Sequence, residues 1–414
     1  MNLFNQAFAN LGQKRATGSL TGMPFFGFGA GATTKAGGKI NTNTALKISA
    51  FFCGVTTIAN SLALLPKHVM TKNKGKINLL NDHPVDYMIH NEPNKLMTAF
   101  SFWFSFAVCM LMKGNGYALI VRNGSGVPIS MTLWDNEDVT PMFYNGELFY
   151  KHSKHKTLFF ASEVFHVPAF CFDGISGRSA LQYAADNLGV SLAADEFAAD
   201  AYADKGLNYG VIEVQAGIDI TKPGKNALKY TFEKNLATGN KDRVTVLDEG
   251  MRYRPISITP AESAFIAAKA QGVEDIARWL SIPLHKLHAK GEGGYNFLVQ
   301  MSMEYLQTAV QPLGQKIKEE IQRKLLSRDE KVINGAYIFM NYRKLLEVDP
   351  AARAQYFKDM VYIKAMNPNE VRAAEDMSPY AGGDEFLQMT NLQTQDEIDK
   401  KLKDEKQKVE QTAN

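Results

Sequence analysis

The clearest hydrophobic pattern in the chain lies in an alanine-rich segment between residues 179 and 205. When these residues are placed at 100° per residue, four acids fall within an arc of about 80°; they are Asp186, Glu196, Asp200 and Asp204. Apolar side chains flank the arc on both sides, with Leu181, Leu188 and Leu192 on one side and Tyr183, Val190 and Phe197 on the other. A surface helix usually has one apolar stripe. Two flanks are typical of a helix that contacts a neighbour on each side in a ring, and an ordinary core helix with a solvated acidic edge is the alternative.

Apolar periodicity predicts a mixed domain before this helix. Helical spacing predicts one helix over residues 48–65 and another between Thr98 and Gly114. A short hairpin over residues 67–81 and a short helix over residues 83–90 are predicted between them. The predicted strands that follow cover residues 117–122, 129–134, 139–144 and 147–151. These elements predict one α+β domain that closes near Phe172.

After the acidic helix the pattern is mainly helical, with a small mixed insertion. Strand signals within residues 206–260 surround a lysine-rich helix predicted over residues 222–237. The later predicted helices cover residues 261–280, 296–326, 350–364 and 369–374, and a strand is predicted over residues 336–341. Because proline removes an internal hydrogen bond, we expect Pro312 to kink the longest of these helices.

Charge is distributed unevenly along the 414 residues. The 46 basic and 43 acidic residues give a net charge of +3, which alone argues against a dedicated nucleic-acid binder. However, the first acid is Asp82, and nine bases precede it, so subtracting nine from +3 leaves −6 for the rest. Residues 1–45 are also rich in glycine, and we expect a flexible basic arm or one that a partner orders.

Few features indicate metal, membrane or disulfide chemistry. The three cysteines lie more than 50 residues apart, which excludes a CxxC zinc site, and neither a disulfide framework nor a cofactor is predicted. Neither apolar stretch, over residues 48–65 and 99–112, provides the roughly 20 uninterrupted apolar residues of a membrane span. No secretory signal is recognised, so we expect no membrane segment.

A glycine-rich loop over residues 285–295 carries the candidate binding chemistry. A P-loop needs Lys and then Ser or Thr after its last glycine, whereas Tyr295 follows Gly294 here. The candidate contacts to a phosphate backbone, made without reading its sequence, are His285, Lys286, His288 and Lys290. A plain exposed connector is the alternative. Hydrolase, metalloprotease and kinase motifs do not occur, so we predict neither catalytic residues nor an enzyme.

Several short segments, taken in order, resemble the portal proteins of tailed bacteriophages, in their compact class of siphophages and prophages. These segments are NEPN (residues 91–94), KGNGYA (113–118), DGISGRS (173–179), IARWLSIP (276–283), QPL (311–313) and NPNEVR (367–372) with GG (382–383). Each is weak alone, and their order and spacing carry the resemblance. It implies an α+β portal fold with an α/β wing, a helical stem, a small α/β clip, a tunnel loop and a helical crown.

The parts implied by the resemblance follow the chain in order. Residues 46–172 with the strand 336–341 would form the wing, 173–205 and 261–281 the two stem helices, and 206–260 the clip. Residues 282–296 would form the tunnel loop, 297–344 the kinked helix and the return to the wing, and 345–394 the crown. The arm of residues 1–45 and a charged tail of residues 395–414 would lie outside these parts.

The resemblance also implies a function. Twelve copies would form a ring at one capsid vertex of the virion, assembled in the host cytoplasm, through which double-stranded DNA is packaged and ejected without sequence specificity. The partners implied are the terminase large subunit, a head–tail adaptor and the major capsid protein. The acids Asp186, Glu196, Asp200 and Asp204 would line the channel, and the clip lysines Lys222, Lys225, Lys229 and Lys234 would dock partners. A different head–tail connector, or an enzyme of unknown class, is the alternative.

Overall fold

The computed structural model describes most of the chain. The described residues are 32–34, 39–73, 75–144, 146–202, 210–214, 222–227, 230, 251–255, 259–288, 295–345, 350–375 and 377–386. Within them, no helix is long and apolar enough to cross a membrane.

Eleven helices and fifteen strands are labelled in these residues. The helices are α1 (Thr42–Ala45), α2 (Ser49–Leu64), α3 (Pro84–His90), α4 (Ala99–Lys113), α5 (Ala180–Tyr202), α6 (Thr259–Leu280), α7 (Tyr295–Tyr305), α8 (Gln311–Lys324), α9 (Arg328–Val332), α10 (Pro350–Tyr362) and α11 (Pro368–Ala374). The strands are β1 (Ala32–Thr33), β2 (Lys39–Ile40), β3 (Lys67–Asn73), β4 (Lys76–Leu79), β5 (Asn115–Arg122), β6 (Pro128–Trp134), β7 (Val139–Tyr144), β8 (Glu147–His152), β9 (Leu158–Phe160), β10 (Val164–Pro168), β11 (Phe170–Cys171), β12 (Gly177–Arg178), β13 (Gly210–Val214), β14 (Met251–Pro255) and β15 (Ala336–Met340).

The chain folds into two compact units that draw on alternating segments. The first unit comprises Met1–Val55, Ser105–Asn123 and Ser130–Trp279. It contains the sheets β10-β5-β6 and β7-β8-β9. A core of Tyr117, Trp134, Val139, Tyr150 and Val164 lies in this unit, with Leu148 and Phe159 packed against it. Aromatic side chains on several strands therefore supply the apolar surface that stabilises the unit.

The second unit comprises Thr56–Phe104, Gly124–Ile129 and Leu280–Asn414. Its sheet has the order β15-β3-β4, and β15 pairs antiparallel with β3 so that Ile338 faces Val69. Both of these side chains are fully buried, as are Ile317 and Ile321 of α8. The predicted hairpin of residues 67–81 is confirmed, because β3 and β4 pair with Met70 opposite Leu79.

The long helix of the second unit is interrupted where proline was expected to disturb it. A π-helical turn, Leu306–Val310, joins α7 to α8, and Pro312 lies in the first turn of α8. Proline has no N–H to complete the regular ladder, and a π-turn is one way in which a helix absorbs that loss.

The predicted arm of residues 1–45 requires a correction. Its last part is ordered: β1 pairs with β2, and Asn41 caps α1 through a capping box with Thr44. Thr34 is buried against α5, and a Cβ atom on Gly189 would lie only 2.7 Å from its Cγ2 atom. The absence of a side chain at Gly189 therefore lets this segment cross the helix, which a composition argument about flexibility did not detect.

The NPNEVR segment forms a small self-contained turn in the second unit. Asn367 caps α11 and forms a capping box with Glu370. The buried Asn369 side chain accepts a hydrogen bond from the Tyr380 N–H at 3.0 Å and donates to the Asp384 carboxylate at 2.9 Å. A Cβ atom on Gly383 would collide with Asn369, and Gly382 adopts a left-handed conformation with φ +86°, so each of the two glycines has a local reason. These motif residues have a structural role.

Candidate nucleic-acid interface

A buried polar network fixes the start of the long acidic helix α5. The Asn115 side chain accepts hydrogen bonds from the Gly177 N–H at 2.8 Å and from His166 Nε2 at 2.9 Å, and it donates to the Gly177 carbonyl at 3.0 Å. The other His166 nitrogen, Nδ1, accepts from the Tyr150 hydroxyl at 2.9 Å. Two residues after Gly177, the Ser179 hydroxyl donates to the Met112 carbonyl. The segment that leads into α5 is therefore tied to the body of the first unit.

Tight backbone contact reinforces this junction. Gly114 adopts a left-handed conformation with φ +82°, and a Cβ atom there would touch the backbone of Arg178. A Cβ atom on Gly177 would collide with the Gly114 carbonyl. The KGNGYA and DGISGRS motifs are thus the two halves of one joint, in which glycine is required for close approach.

The two apolar flanks of α5 differ in exposure within the single chain. Leu181 and Leu188 on one flank are buried, Leu188 with only 1% of its surface exposed. Tyr183 and Val190 on the other flank are 49% and 53% exposed. Phe197 lies among residues whose side chains the structure does not describe. One apolar flank is therefore buried by the chain itself, and the other flank stays exposed.

The predicted second stem helix, α6, lies alongside α5 in the first unit. A Cβ atom on Gly272 would lie 2.6 Å from the Ser191 hydroxyl, so the helices approach closely at this point. The Asn187 amide donates to the Asp275 carboxylate at 3.1 Å, and Lys269 forms a 2.9 Å ion pair with Asp195. The pairing of α5 with α6 neutralises one of the acids of α5.

The structure describes the side chains of only two of the four predicted channel acids. Asp186 and Glu196 are exposed on α5. The side chain of Asp200 and the whole of Asp204 lie outside the described part of the chain. The exposed acids agree with the predicted solvated acidic front, and their place on a channel wall stays a prediction.

The base of the predicted tunnel loop is anchored in the second unit. Residues Leu284–Leu287 form a 3-10 turn, and Lys286 lies with its Nζ atom 5.4 Å from the Tyr305 ring centroid. Tyr305 is itself held by Ser61, whose hydroxyl lies 2.8 Å from the Tyr305 hydroxyl. Burial raises the pKa of Tyr305 to about 12. A cation above an aromatic face is attracted by the ring, so this contact positions Lys286.

The predicted phosphate contacts have different surroundings in the described structure, and their role at DNA stays a prediction. The Nε2 atom of His285 is buried and has no hydrogen-bond partner in the described part of the structure, and burial lowers the pKa of this imidazole. Lys286 anchors the loop, because its side chain lies over the ring of Tyr305 on the helix that follows. His288 is exposed in a left-handed conformation with φ 55°, and Lys290 is not among the described residues.

The residues predicted to form the clip, 206–260, are described only in part. Strands β13 and β14 pair antiparallel, with Glu213 opposite Arg252. Residues 222–227 are helical, and Lys222 and Lys225 on this piece are exposed. Lys229 and Lys234 lie outside the described residues. No cluster of three metal-ligating side chains occurs within the described ranges.

The fold is that of an HK97-family phage portal protein, and it is also found in the neck of a gene transfer agent particle. An HK97-family phage portal protein structure from Corynebacterium diphtheriae superposes with a TM-score of 0.55 at 15% identity, covering 78% of this chain and 99% of that one. The neck of a native gene transfer agent particle, computed with C12 symmetry, gives a TM-score of 0.54 at 18% identity over 82% of this chain and 94% of that one.

Sequence relatives identify the family. The phage portal protein family matches residues 49–376. The portal protein of Enterobacteria phage HK97 is 26% identical over 372 residues, which cover 86% of this chain and 87% of the relative. A probable portal protein of Streptomyces phage phiC31 is 22% identical and covers 86% of this chain and 80% of the relative. The chain belongs to the phage portal protein family.

Proposed function

We propose that twelve copies of this chain form a ring at one vertex of the capsid, and that double-stranded DNA passes through its axial channel during packaging and ejection. Membership of the portal family carries this proposal. The C12 symmetry of a structurally similar neck supports the subunit number. The uncovered flank of α5 supplies apolar surface for a neighbouring subunit. Electron microscopy of the purified protein tests the ring, and a stable monomer would contradict it.

The parts of the ring take the roles expected of a portal. In this proposal α5 and α6 form the stem, residues 206–260 the clip, residues 282–296 the tunnel loop and residues 345–394 the crown. Residues 46–172 with the strand β15 form the wing. The first 81 residues carry no acid, which suits a contact with an anionic surface of the major capsid protein.

Exposed acids on α5 would keep the passing DNA mobile. Glu196 and Asp186 present negative charge to solvent, and twelve copies multiply that charge around the channel. Lysine or arginine in their place would bind phosphates through counterion release and slow sliding. We therefore infer that the stem repels DNA, while a few contacts from the tunnel loop, including exposed His288, guide it.

Replacing Glu196 and Asp200 with lysine should reduce the DNA packaged per head. Twelve subunits would each change by +4 in charge, and the retained phosphates would stall movement, most strongly at low salt. The measurement is the length of packaged DNA in purified heads at two salt concentrations. Glu92→Lys, at an exposed loop residue of the second unit, serves as the control. Normal packaging by the double variant at both salt concentrations would reject an acidic channel wall.

The lysine-rich helix of the clip is proposed as the docking site for the terminase large subunit and later for a head–tail adaptor. Charge reversal at Lys225 and Lys229 should weaken terminase binding at least tenfold, because several like-signed contacts are lost in each of twelve copies. Binding of labelled terminase to intact rings measures this, with Lys154→Glu as the exposed control. Unchanged affinity would place the motor contact elsewhere.

A further inference from the structure

Exposed apolar side chains cluster where the polypeptide enters α5. Phe170 on β11 lies 5.0 Å from Phe172 and 6.5 Å from Tyr183, measured between ring centroids. Val190 follows Tyr183 by seven residues and therefore lies on the same face of the helix. Phe172 is 70% exposed, and Phe170 is exposed to a similar degree as Val190. These four exposed apolar residues are named here the stem patch.

A second apolar surface lies on the sheet β7-β8-β9 of the same unit. Met142, Phe149 and Phe160 are directly opposite one another across the three strands, so they share one face. The other face carries Val139 and Tyr150 and packs in the core. Met142 and Phe160 are 42% and 55% exposed, and Tyr144 on the same face is also exposed. Met142, Tyr144 and Phe160 are named here the sheet patch. Phe149, between Met142 and Phe160, is itself buried, and Met142, Tyr144 and Phe160 leave apolar surface exposed around it.

We propose that the stem patch of one subunit packs on the sheet patch of the next copy of this chain, and that this contact closes the ring. The inference rests on the proposed ring function. A closed ring uses heterologous contacts, in which each subunit offers two different surfaces to its two neighbours. Aromatic and methionine side chains are enriched in the cores of such interfaces. The stem patch and the sheet patch have that composition and lie on different elements.

Charges at the edges of the two patches are complementary. On the stem patch, Arg178 is paired with Phe170 in the strand register, and exposed Asp186 lies between Tyr183 and Val190 on the helix. On the sheet patch, Glu147 and Lys151 occupy opposite ends of the row on β8 that contains Phe149. A head-to-tail contact can place Arg178 of the stem patch against Glu147 of the sheet patch, which favours one direction of packing.

Mixing two variants tests this pairing. Tyr183→Lys/Val190→Lys disables the stem patch, and Met142→Lys/Phe160→Lys disables the sheet patch. Each full-length variant alone should remain monomeric by native mass spectrometry. A mixture should give a one-to-one heterodimer and no ring. The intact stem patch of one variant can bind the intact sheet patch of the other, and the two patches left over are both disabled. Heterodimers also demonstrate that both variants are folded. A second pair, Val190→Ser and Met142→Ser, repeats the mixing without added charge.

The outcomes distinguish a failure of the proposed interface from a failure of the proposed ring. Rings in either lysine variant, or a mixture that stays monomeric while both variants melt as the wild type does, would overturn the pairing. A wild-type protein that forms no ring would instead overturn the proposed function. Leu96→Lys/Val332→Lys adds the same charge at strongly exposed apolar sites outside both patches and should retain rings. Equal dissociation of this control would also overturn the assignment.

Discussion

Asn115→Ala should lower the free energy of unfolding by roughly 3–5 kcal/mol, because several buried groups lose their partners at once. The substitution leaves the N–H and carbonyl of Gly177 and the Nε2 atom of His166 without a hydrogen bond. Each buried polar group left unsatisfied costs about 1–3 kcal/mol. The same loss should loosen the start of α5, since Gly177 lies just before that helix. Urea denaturation at a fixed protein concentration measures the effect.

The control for this experiment lies on α5 itself. Gln182 is exposed, and Gln182→Ala should change the free energy of unfolding by less than about 0.5 kcal/mol. A loss below about 1 kcal/mol for Asn115→Ala would show that water or a shifted backbone replaces the network. In that case the stem would be held mainly by the close contact of Gly114 with Arg178.

Lys67→Met should remove a pH dependence from the stability of the protein. Lys67 is buried; its Nζ atom donates to the carbonyls of Leu62 and Leu65, both at 2.9 Å, and lies 5.1 Å from the Trp103 ring centroid. Burial lowers the pKa of Lys67 to about 7. A neutral amine still has two N–H donors, so both hydrogen bonds survive deprotonation.

The direction of the effect follows from proton linkage. The unfolded chain keeps the Lys67 proton up to about pH 10.4, whereas the folded protein releases it near pH 7. Between these values the unfolded state binds the extra proton, so folded stability rises with pH. The wild-type free energy of unfolding, relative to Lys67→Met, should increase by about 2–3 kcal/mol between pH 7 and pH 9.

Urea denaturation of both proteins at pH 7, 8 and 9 measures this difference, and titrations common to both cancel. The exposed Lys72 provides the matched control, because Lys72→Met should follow the wild-type pH profile. Parallel profiles for wild type and Lys67→Met would mean that the two carbonyls and Trp103 keep Lys67 charged throughout this range.

Local sequence patterns predicted the regular elements well. Strand β7 has the predicted bounds, and the long helices differ from prediction by about two residues at most ends. Strands β1 and β2 were not predicted, because two residues are too few to show a period. Strands β9 and β10 were also missed. The predicted α5 flanks were found, but only the contacts of the folded chain show which one is covered by the same chain.

The polar residues that hold the start of α5 could not be predicted from the sequence, because only tertiary contacts bring their partners together. Asn115 and His166 are 51 residues apart, and no local spacing joins them. Lys67 follows Pro66 at the start of a strand, where sequence suggests a solvated base. It is buried because the last carbonyls of α2 need donors. Lys286 was expected in an exposed loop, and its contact with Tyr305 of α7 comes from folding of the chain around it.

The pairing of β3 with β15 has a consequence for synthesis on the ribosome. Lys67 pairs with Met340, which is 273 residues later in the chain. At about 5–20 residues per second, β3 waits roughly 14–55 s before its partner strand is made. Val69 and the edge of β3 stay uncovered during that time. The second unit is therefore completed only when translation is nearly finished. Newly made subunits need protection from one another until then, before they assemble.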